Sequence, residues 1–191
     1  GEGVDLINLS GAEERIVIDL FNDRLVIGDS PIMTVQDIEN VYGGDGNDRI
    51  VGGNGSNRLL GRSGEDYVSG GNGSDTLYGG AQNDQVFGGS NGDFLYGGSG
   101  NDFLTGGDGI DAYYGGTGRD TAVMGDGSTA GWQIDLLDEV AFRGGSYGEA
   151  FIGIENVYGG RGSDSIIGDN GANIIFGGTN VKNQGIAMNQ V

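Results

Sequence analysis

Residues 70–78 read GGNGSDTLY, and the same frame returns as GRSGEDYVS at 61–69 and as GGAQNDQVF at 79–87. Followed outward, it holds without a gap over nine units that begin at Gly43, Gly52, Gly61, Gly70, Gly79, Gly88, Gly97, Gly106 and Gly115. Glycine fills slots one, two and four in 24 of 27 cases, the exceptions being Arg62, Gln82 and Asn91. Slot six is Asp48, Asp66, Asp75, Asp84, Asp93, Asp102, Asp111 and Asp120, with Asn57 the one departure. Slot eight is always apolar or aromatic: Ile50, Leu59, Val68, Leu77, Val86, Leu95, Leu104, Tyr113 and Ala122. Consecutive glycines permit positive φ, so the first six residues can turn where side chains would block the chain. Slots seven to nine make a short extended piece whose middle residue points one way and its neighbours the other. One such unit buries nothing, whereas three or more stacked units can. The frame therefore predicts an all-β solenoid of short parallel strands joined by glycine turns, with slot eight lining the interior.

Composition narrows the chemistry. Of 191 residues, 44 are Gly, 28 are Asp or Glu and 9 are Lys or Arg, a net charge of −19, with neither Cys nor His. Disulfides, thiolate sites, Ser-His-Asp triads and zincin motifs all go at once. The acidity argues against nucleic acid, and no apolar run approaches a membrane span. The slot-six carboxylates would lie a few ångströms apart in neighbouring turns, which opposes folding unless compensated. A hard divalent cation between turns reverses that sign. Calcium suits best, because it takes six to eight oxygens and accepts backbone carbonyls beside carboxylates. Magnesium demands a tight octahedron, and zinc prefers nitrogen and sulfur. A merely solvated acidic linker would not keep slot eight apolar nine times in nine.

With GGxGxDxUx in view, where U is apolar, the chain resembles the RTX, or haemolysin-type, calcium-binding parallel β-roll. Such domains close serralysin-like and other type I-secreted bacterial proteins. The resemblance implies two nonapeptides per turn, so that units 18 residues apart stack, with an ion between stacked loops. One loop gives oxygens from slots one, three and five, and the other from slots two, four and six. Carried over, the slot-one ligands are the nine glycines that open the units. Slot two supplies Gly44, Gly71, Gly80, Gly89, Gly98, Gly107, Gly116 and Gly160, and slot three Asp45, Asn54, Asn72 and Asp108. Slot four supplies Gly46, Gly64, Gly73, Gly100, Gly109, Gly118 and Gly162, and slot five Asn47 and Asn101. The eight slot-six Asp residues and Asp164 complete the set. One row holds the loops at Gly43, Gly61, Gly79, Gly97 and Gly115; the other holds those at Gly52, Gly70, Gly88 and Gly106, closed by Met124-Gly125-Asp126-Gly127.

The flanks repeat one another. Residues 18–44 and 134–160 align without a gap at an offset of 116, and the IENVYGG of 38–44 recurs unchanged at 154–160. After the second copy come GGRGSDSII from Gly159, GDNGANIIF from Gly168 and a failing GGTNVKNQG from Gly177, with Asp164 and Asn173 at slot six and Lys182 in the Asp slot of the last. The alternation in 15–27 and 132–142 predicts longer strands. The expected organisation is a lead-in flank at 1–42, the main roll at 43–128, a second lead-in at 129–158, a short second array at 159–185 and a loose tail at 186–191. The second array either continues the first stack or forms a roll of its own.

Slot nine at 18-residue spacing sets Leu60, Tyr78, Tyr96 and Tyr114 in one outward row, with Phe94 beside them and Phe87, Tyr67 and Phe103 on the other sheet. Such a row either stacks on itself or offers a platform to a glycan or a protein partner. The functional expectation is a calcium-binding module that folds on Ca²⁺ outside the cell, binding several ions. Alternatives are an adhesin or surface-layer module using the aromatic rows, and the non-catalytic tail of a secreted hydrolase or epimerase. No catalytic residue is expected. Paired carboxylates such as Asp135 and Asp138 read as surface strand positions rather than acid and base.

Overall fold

The computed structural model describes residues 4–124, 131–143 and 148–177. Every regular element among them is a strand. The N-terminal flank holds β1 (Leu6–Asn8), β2 (Ile16–Asp19), β3 (Arg24–Ile27) and β4 (Met33–Thr34). The IENV string and the nonapeptides after it hold β5 (Asn40–Tyr42), β6 (Arg49–Val51), β7 (Arg58–Ser63), β8 (Tyr67–Asn72), β9 (Thr76–Ala81), β10 (Gln85–Ser90), β11 (Phe94–Gly100), β12 (Phe103–Asp108), β13 (Ala112–Gly118) and β14 (Thr121–Val123). Then follow β15 (Trp132–Asp135), β16 (Val140–Arg143), β17 (Ala150–Ile152), β18 (Asn156–Tyr158), β19 (Ser165–Ile167) and β20 (Ile174–Phe176).

Successive nonapeptides alternate between two sheets. Strands β5, β7, β9, β11 and β13 neighbour one another in the first, and β6, β8, β10, β12 and β14 in the second. Pairing is parallel at an 18-residue register, Leu77 beside Leu95 and Val86 beside Leu104. This is a parallel β-roll with two units per turn. All nine slot-eight residues lie inside, none more than 1% exposed. Alternation on a pleated strand leaves slots seven and nine no choice but to face outward.

Strands β7 to β13 are twice as long as expected, running from slot seven through slot three of the next unit, or slot four in β11 and β13. The glycine pairs lie inside the ladder, Gly89 opposite Gly107. Gly89 sits at φ +122°, and a Cβ there would strike the Gly71 carbonyl. The three departures from glycine keep the same backbone: Arg62, Gln82 and Asn91 hold φ of 93°, 81° and 76°.

The flanks correct the expectation of single long strands. Residues 15–27 form the antiparallel hairpin β2–β3, and 132–142 lie in the hairpin β15–β16. A side-chain turn divides each. Asp19 accepts the Asn22 N–H (3.1 Å), and Asp135 accepts the N–H groups of Leu137 (3.0 Å) and Asp138 (3.2 Å). Short acidic side chains that bond the backbone two or three residues on favour turns over strands. Asp135 thus serves a turn.

Strands β17 to β20 join the same two sheets. β17 pairs with β13, β18 with β14, and β20 with β18, all parallel. The hairpin β15–β16 is inserted beside β17 in the first sheet and carries β19 on its far side. The 116-residue duplication is therefore structural. β2 pairs with β6 as β15 pairs with β19, Ile18 beside Ile50 and Ile134 beside Ile166. The expected closure at Gly125-Asp126-Gly127, Lys182 and the 186–191 tail lie outside the described residues.

Candidate calcium-binding loops

Each slot-six aspartate stands at the end of its glycine turn, where the stacked coil beside it presents an N–H. From Asp66 to Asp120 its Oδ1 accepts the backbone N–H of the slot-six residue 18 positions earlier. Asp66 takes that of Asp48 (2.7 Å), Asp84 that of Asp66 (2.8 Å), Asp102 that of Asp84 (2.8 Å) and Asp120 that of Asp102 (2.8 Å). The other row matches: Asp75 takes Asn57 (2.7 Å), Asp93 takes Asp75 (2.8 Å) and Asp111 takes Asp93 (2.9 Å). Each aspartate is thus one rung of a continuous ladder, at most 3% exposed.

The second carboxylate oxygen is different. Oδ2 of Asp66, Asp75, Asp84, Asp93, Asp102, Asp111, Asp120 and Asp164 is buried and accepts no hydrogen bond from the described residues. Native proteins leave few buried polar atoms unmet, and an unmet carboxylate oxygen is among the costliest. Each of these atoms faces its own slot-one glycine, where a Cβ would collide with it. Burial is the leading cause of the resulting pKa shifts. It pushes Asp84 up to about 8, Asp66 and Asp93 to about 7, and Asp75, Asp111 and Asp120 to about 6, against the lowering effect of the rung hydrogen bonds. Asp48, Asp102 and Asp164 are raised for the same reason.

These orphaned oxygens fit a cation bound in the loops. Among the described residues no three acidic side chains cluster as a metal site. A cation here would take one carboxylate and several carbonyls, a donor set that calcium accepts. The opening loops differ in detail. Gly44, Gly46, Gly53 and Gly55 do not take the positive φ of their counterparts, and Asp48 Oδ2 accepts the Gly44 N–H at 2.9 Å.

Several ladder members escaped the sequence reading. Glu39 and Glu155, the acids of the two IENV strings, replace aspartate where the loop is shortened: Glu39 accepts the Asp5 N–H and Glu155 the Asp120 N–H, both at 2.7 Å. Asn57 and Asn173 form the matching next step, each donating its side-chain amide to the carbonyl of that glutamate (3.0 and 2.9 Å). Asn57 is therefore a donor fitted to a carbonyl, which aspartate could not be, and not a decayed aspartate. Ile16 and Trp132 cap Asp48 (2.8 Å) and Asp164 (2.9 Å) from the hairpins. Glu149 occupies slot six of the β17 coil, since Ala150 pairs with Ala112. Burial pushes its carboxyl up to about 8, while the Tyr113 hydroxyl donates to it and accepts the Gly106 N–H (2.9 Å). The spacing was legible: GGSYGEAFI at 144–152 is a nonapeptide with Glu for Asp, and GEGVDLIN at 1–8 carries slots two to nine.

The outward tyrosines stack on one another. Tyr78, Tyr96 and Tyr114 have centroids 4.6 Å apart at 9° and 10°, and Arg58 covers the outer face of Tyr78 at 5.0 Å. Both faces of Tyr96 are thus taken by neighbouring rings, and those of Tyr78 by Tyr96 and Arg58. A sugar ring stacks on a free face, and the rings within the row offer none.

Two consequences can be measured. At Gly97 a Cβ would lie 2.5 Å from Asp102 Oδ2 and 2.7 Å from the Gly115 carbonyl, whereas Gly55 faces open space. Gly97→Ala is expected to cost about 1–3 kcal/mol in denaturant unfolding with calcium present, and Gly55→Ala almost nothing. The second concerns pH. In chelator the folded chain holds protons that the unfolded chain releases near pH 4, because its carboxyl values are raised. That stabilisation is full below about pH 4, falls as pH rises and is gone above about pH 8. Acidifying the calcium-free chain from pH 8 to pH 5 should raise its folded fraction by circular dichroism. Calcium affinity should fall over the same range, as protons compete for the same oxygens.

The family model for the RTX calcium-binding nonapeptide repeat matches the chain in four copies, over residues 42–77, 60–95, 87–122 and 149–180, more than half of its length. No curated protein is matched.

Proposed function

The chain belongs to the RTX calcium-binding nonapeptide repeat family, and from that premise we propose that it is a calcium-dependent folding module of a secreted bacterial protein. The observation that carries this reading is the ladder of buried Oδ2 atoms, repeated coil after coil and unmet by any donor among the described residues. The ligands would be slot-one, -three and -five carbonyls of one loop and slot-two and -four carbonyls with the slot-six carboxylate of the other. In the central stack these come from the Gly79, Gly97 and Gly115 loops on one side and the Gly70, Gly88 and Gly106 loops on the other. Calcium bound there supplies positive charge that offsets the burial of carboxylates and their mutual repulsion.

Without it, the chain's own residues oppose compaction. The net charge of −19 self-repels, and 44 glycines have more conformational freedom to lose than any other residue type. A chain of this kind would stay unfolded at low cytosolic calcium, suited to type I export, and order itself at extracellular calcium, where such modules bind with constants of about 10⁻⁴–10⁻³ M. The described residues have no helix long and apolar enough to cross a membrane. The domain itself acts as structure and ion binder rather than as catalyst, and any activity would belong to other parts of its protein.

The test is a calcium titration followed by circular dichroism. In excess chelator at pH 7.5 the β signal is expected to be largely lost, and millimolar calcium should restore it in one cooperative step. Magnesium at equal concentration should not. A full β spectrum that persists in chelator would overturn the mechanism.

A further inference from the structure

We infer that the face formed by the outer edges of β1 and β4 is a joint that receives a preceding turn of the same nonapeptide type, so that arrays run in tandem as one continuous roll. The argument is the internal duplication. Relative to its hairpin and IENV string, β1 holds the place that β14 holds in the second copy: β1 pairs with β5 as β14 pairs with β18, Ile7 beside Val41 and Ala122 beside Val157. The Asp5 carbonyl accepts the Asn40 N–H at 3.0 Å, as that of Asp120 accepts the Asn156 N–H at 2.9 Å. In the same way β4 corresponds to β17, with Arg24 opposite Thr34 as Val140 is opposite Ala150.

In the second copy both outer edges are taken. β12 lies on β14, and β13 lies on β17. The Thr121 N–H donates to the Asp102 carbonyl (2.8 Å), and the Ala150 N–H to the Asp111 carbonyl (3.2 Å). In the first copy β1 and β4 end their sheets among the described residues. The core records the difference. Ala122 and Phe151 are at most 1% exposed, while their counterparts Ile7 and Val35 are only partly buried. Leu6 and Met33 are 49% and 41% exposed at this end.

The occupant follows from the geometry already present in the chain. It is one turn of two parallel strands whose slot-eight residues close over Ile7 and Val35, one strand on each sheet, arriving in cis through a loop that ends at the position of Asp5. A free strand edge invites parallel addition wherever register and inward side chains agree. Here the second copy supplies both the register and the partner.

The joint is tested by a chain in which residues 43–119 are followed directly by residues 5–191, so that the array which precedes Asp120 now precedes its counterpart Asp5. The measurement is amide hydrogen exchange in saturating calcium, compared with the parent chain. The N–H groups of Leu6 and Thr34, counterparts of Thr121 and Ala150, are expected to exchange on the order of tenfold more slowly or less still. The lengthened chain should unfold in one transition. Leu6→Pro removes the donor at the joint, and in the lengthened chain should return Thr34 to parental exchange, while leaving the parent little changed. An added array that melts separately, or stays unfolded, with Leu6 and Thr34 exchanging as in the parent, overturns the joint. The parent's own calcium titration reads the calcium mechanism separately.

Discussion

Replacing Asp84 by asparagine is expected to separate the two tasks of a slot-six carboxylate, and replacing it by alanine to abolish both. Asp84 lies mid-stack. Its Oδ1 accepts the Asp66 N–H, its N–H donates to Asp102, and its Oδ2 is unmet. Asparagine keeps an oxygen for the rung and removes the negative charge. Burial has pushed that carboxyl to about 8, so at pH 7.5 its ionisation weighs on the calcium-free fold. In chelator Asp84→Asn should therefore be more folded than the wild type at pH 7.5, and the gap should close as pH falls to about 4, where the aspartate is neutral in the folded and the unfolded chain alike. In calcium the order reverses. An amide N–H₂ now points where a cation would sit, and the calcium midpoint should rise on the order of tenfold, with at least one ion fewer by mass. Asp84→Ala adds the loss of the rung, leaving the Asp66 N–H buried and unpaired at about 1–3 kcal/mol, and should be less folded than Asp84→Asn in every condition. A wild-type calcium response in Asp84→Asn would remove the carboxylate from the site.

The contrast between these two variants shows why the roll was legible where it was. Slot eight and slot six declare themselves by residue type, because an interior needs apolar atoms and an ion needs oxygen, and both recur in phase. The two-unit turn and the outward tyrosine row follow from the same period. What stayed hidden was whatever the fold does with a different residue in the same place. Arg62, Gln82 and Asn91 looked like broken glycine positions, yet hold the positive φ of the glycines they replace. Asn57 looked like a lost aspartate, and is instead the donor that the Glu39 carbonyl requires. Glu39, Glu149 and Glu155 carry the ladder with a longer acid, and so fell outside a frame defined by Asp. The hairpins were misread as single strands for a local reason. Asp19 and Asp135 sit in alternating apolar stretches, where their turn-forming hydrogen bonds leave no periodic trace. Ligand roles of individual carbonyls carry no residue signature at all, since every residue has a carbonyl.

Leu95→Ala should destabilise the calcium-bound chain far more than Ile175→Ala, although both remove aliphatic carbons from slot eight. The roll is quasi-one-dimensional: each coil touches only its neighbours, and the core is a single file of side chains along the axis. Leu95 is fully buried near the middle of that file, with Leu77 and Tyr113 as its registered neighbours. The two glycine-rich sheets have few side chains able to collapse into a gap. The cavity would therefore persist, and large-to-small changes of this kind cost about 2–5 kcal/mol. Ile175 stands on the terminal strand β20 and is only partly buried, so its truncation removes little area from the interior. A cost of about 1 kcal/mol or less is expected there. Position also governs cooperativity. A weak coil at the end frays, whereas a weak coil at the centre divides the stack into two halves, each with fewer neighbour interfaces to hold it. Leu95→Ala should accordingly broaden the calcium transition or split it in two, while Ile175→Ala keeps a single sharp one. Equal losses at the two positions would mean that the roll melts as a globular unit, and its stability could no longer be treated as a sum of coil-to-coil contacts.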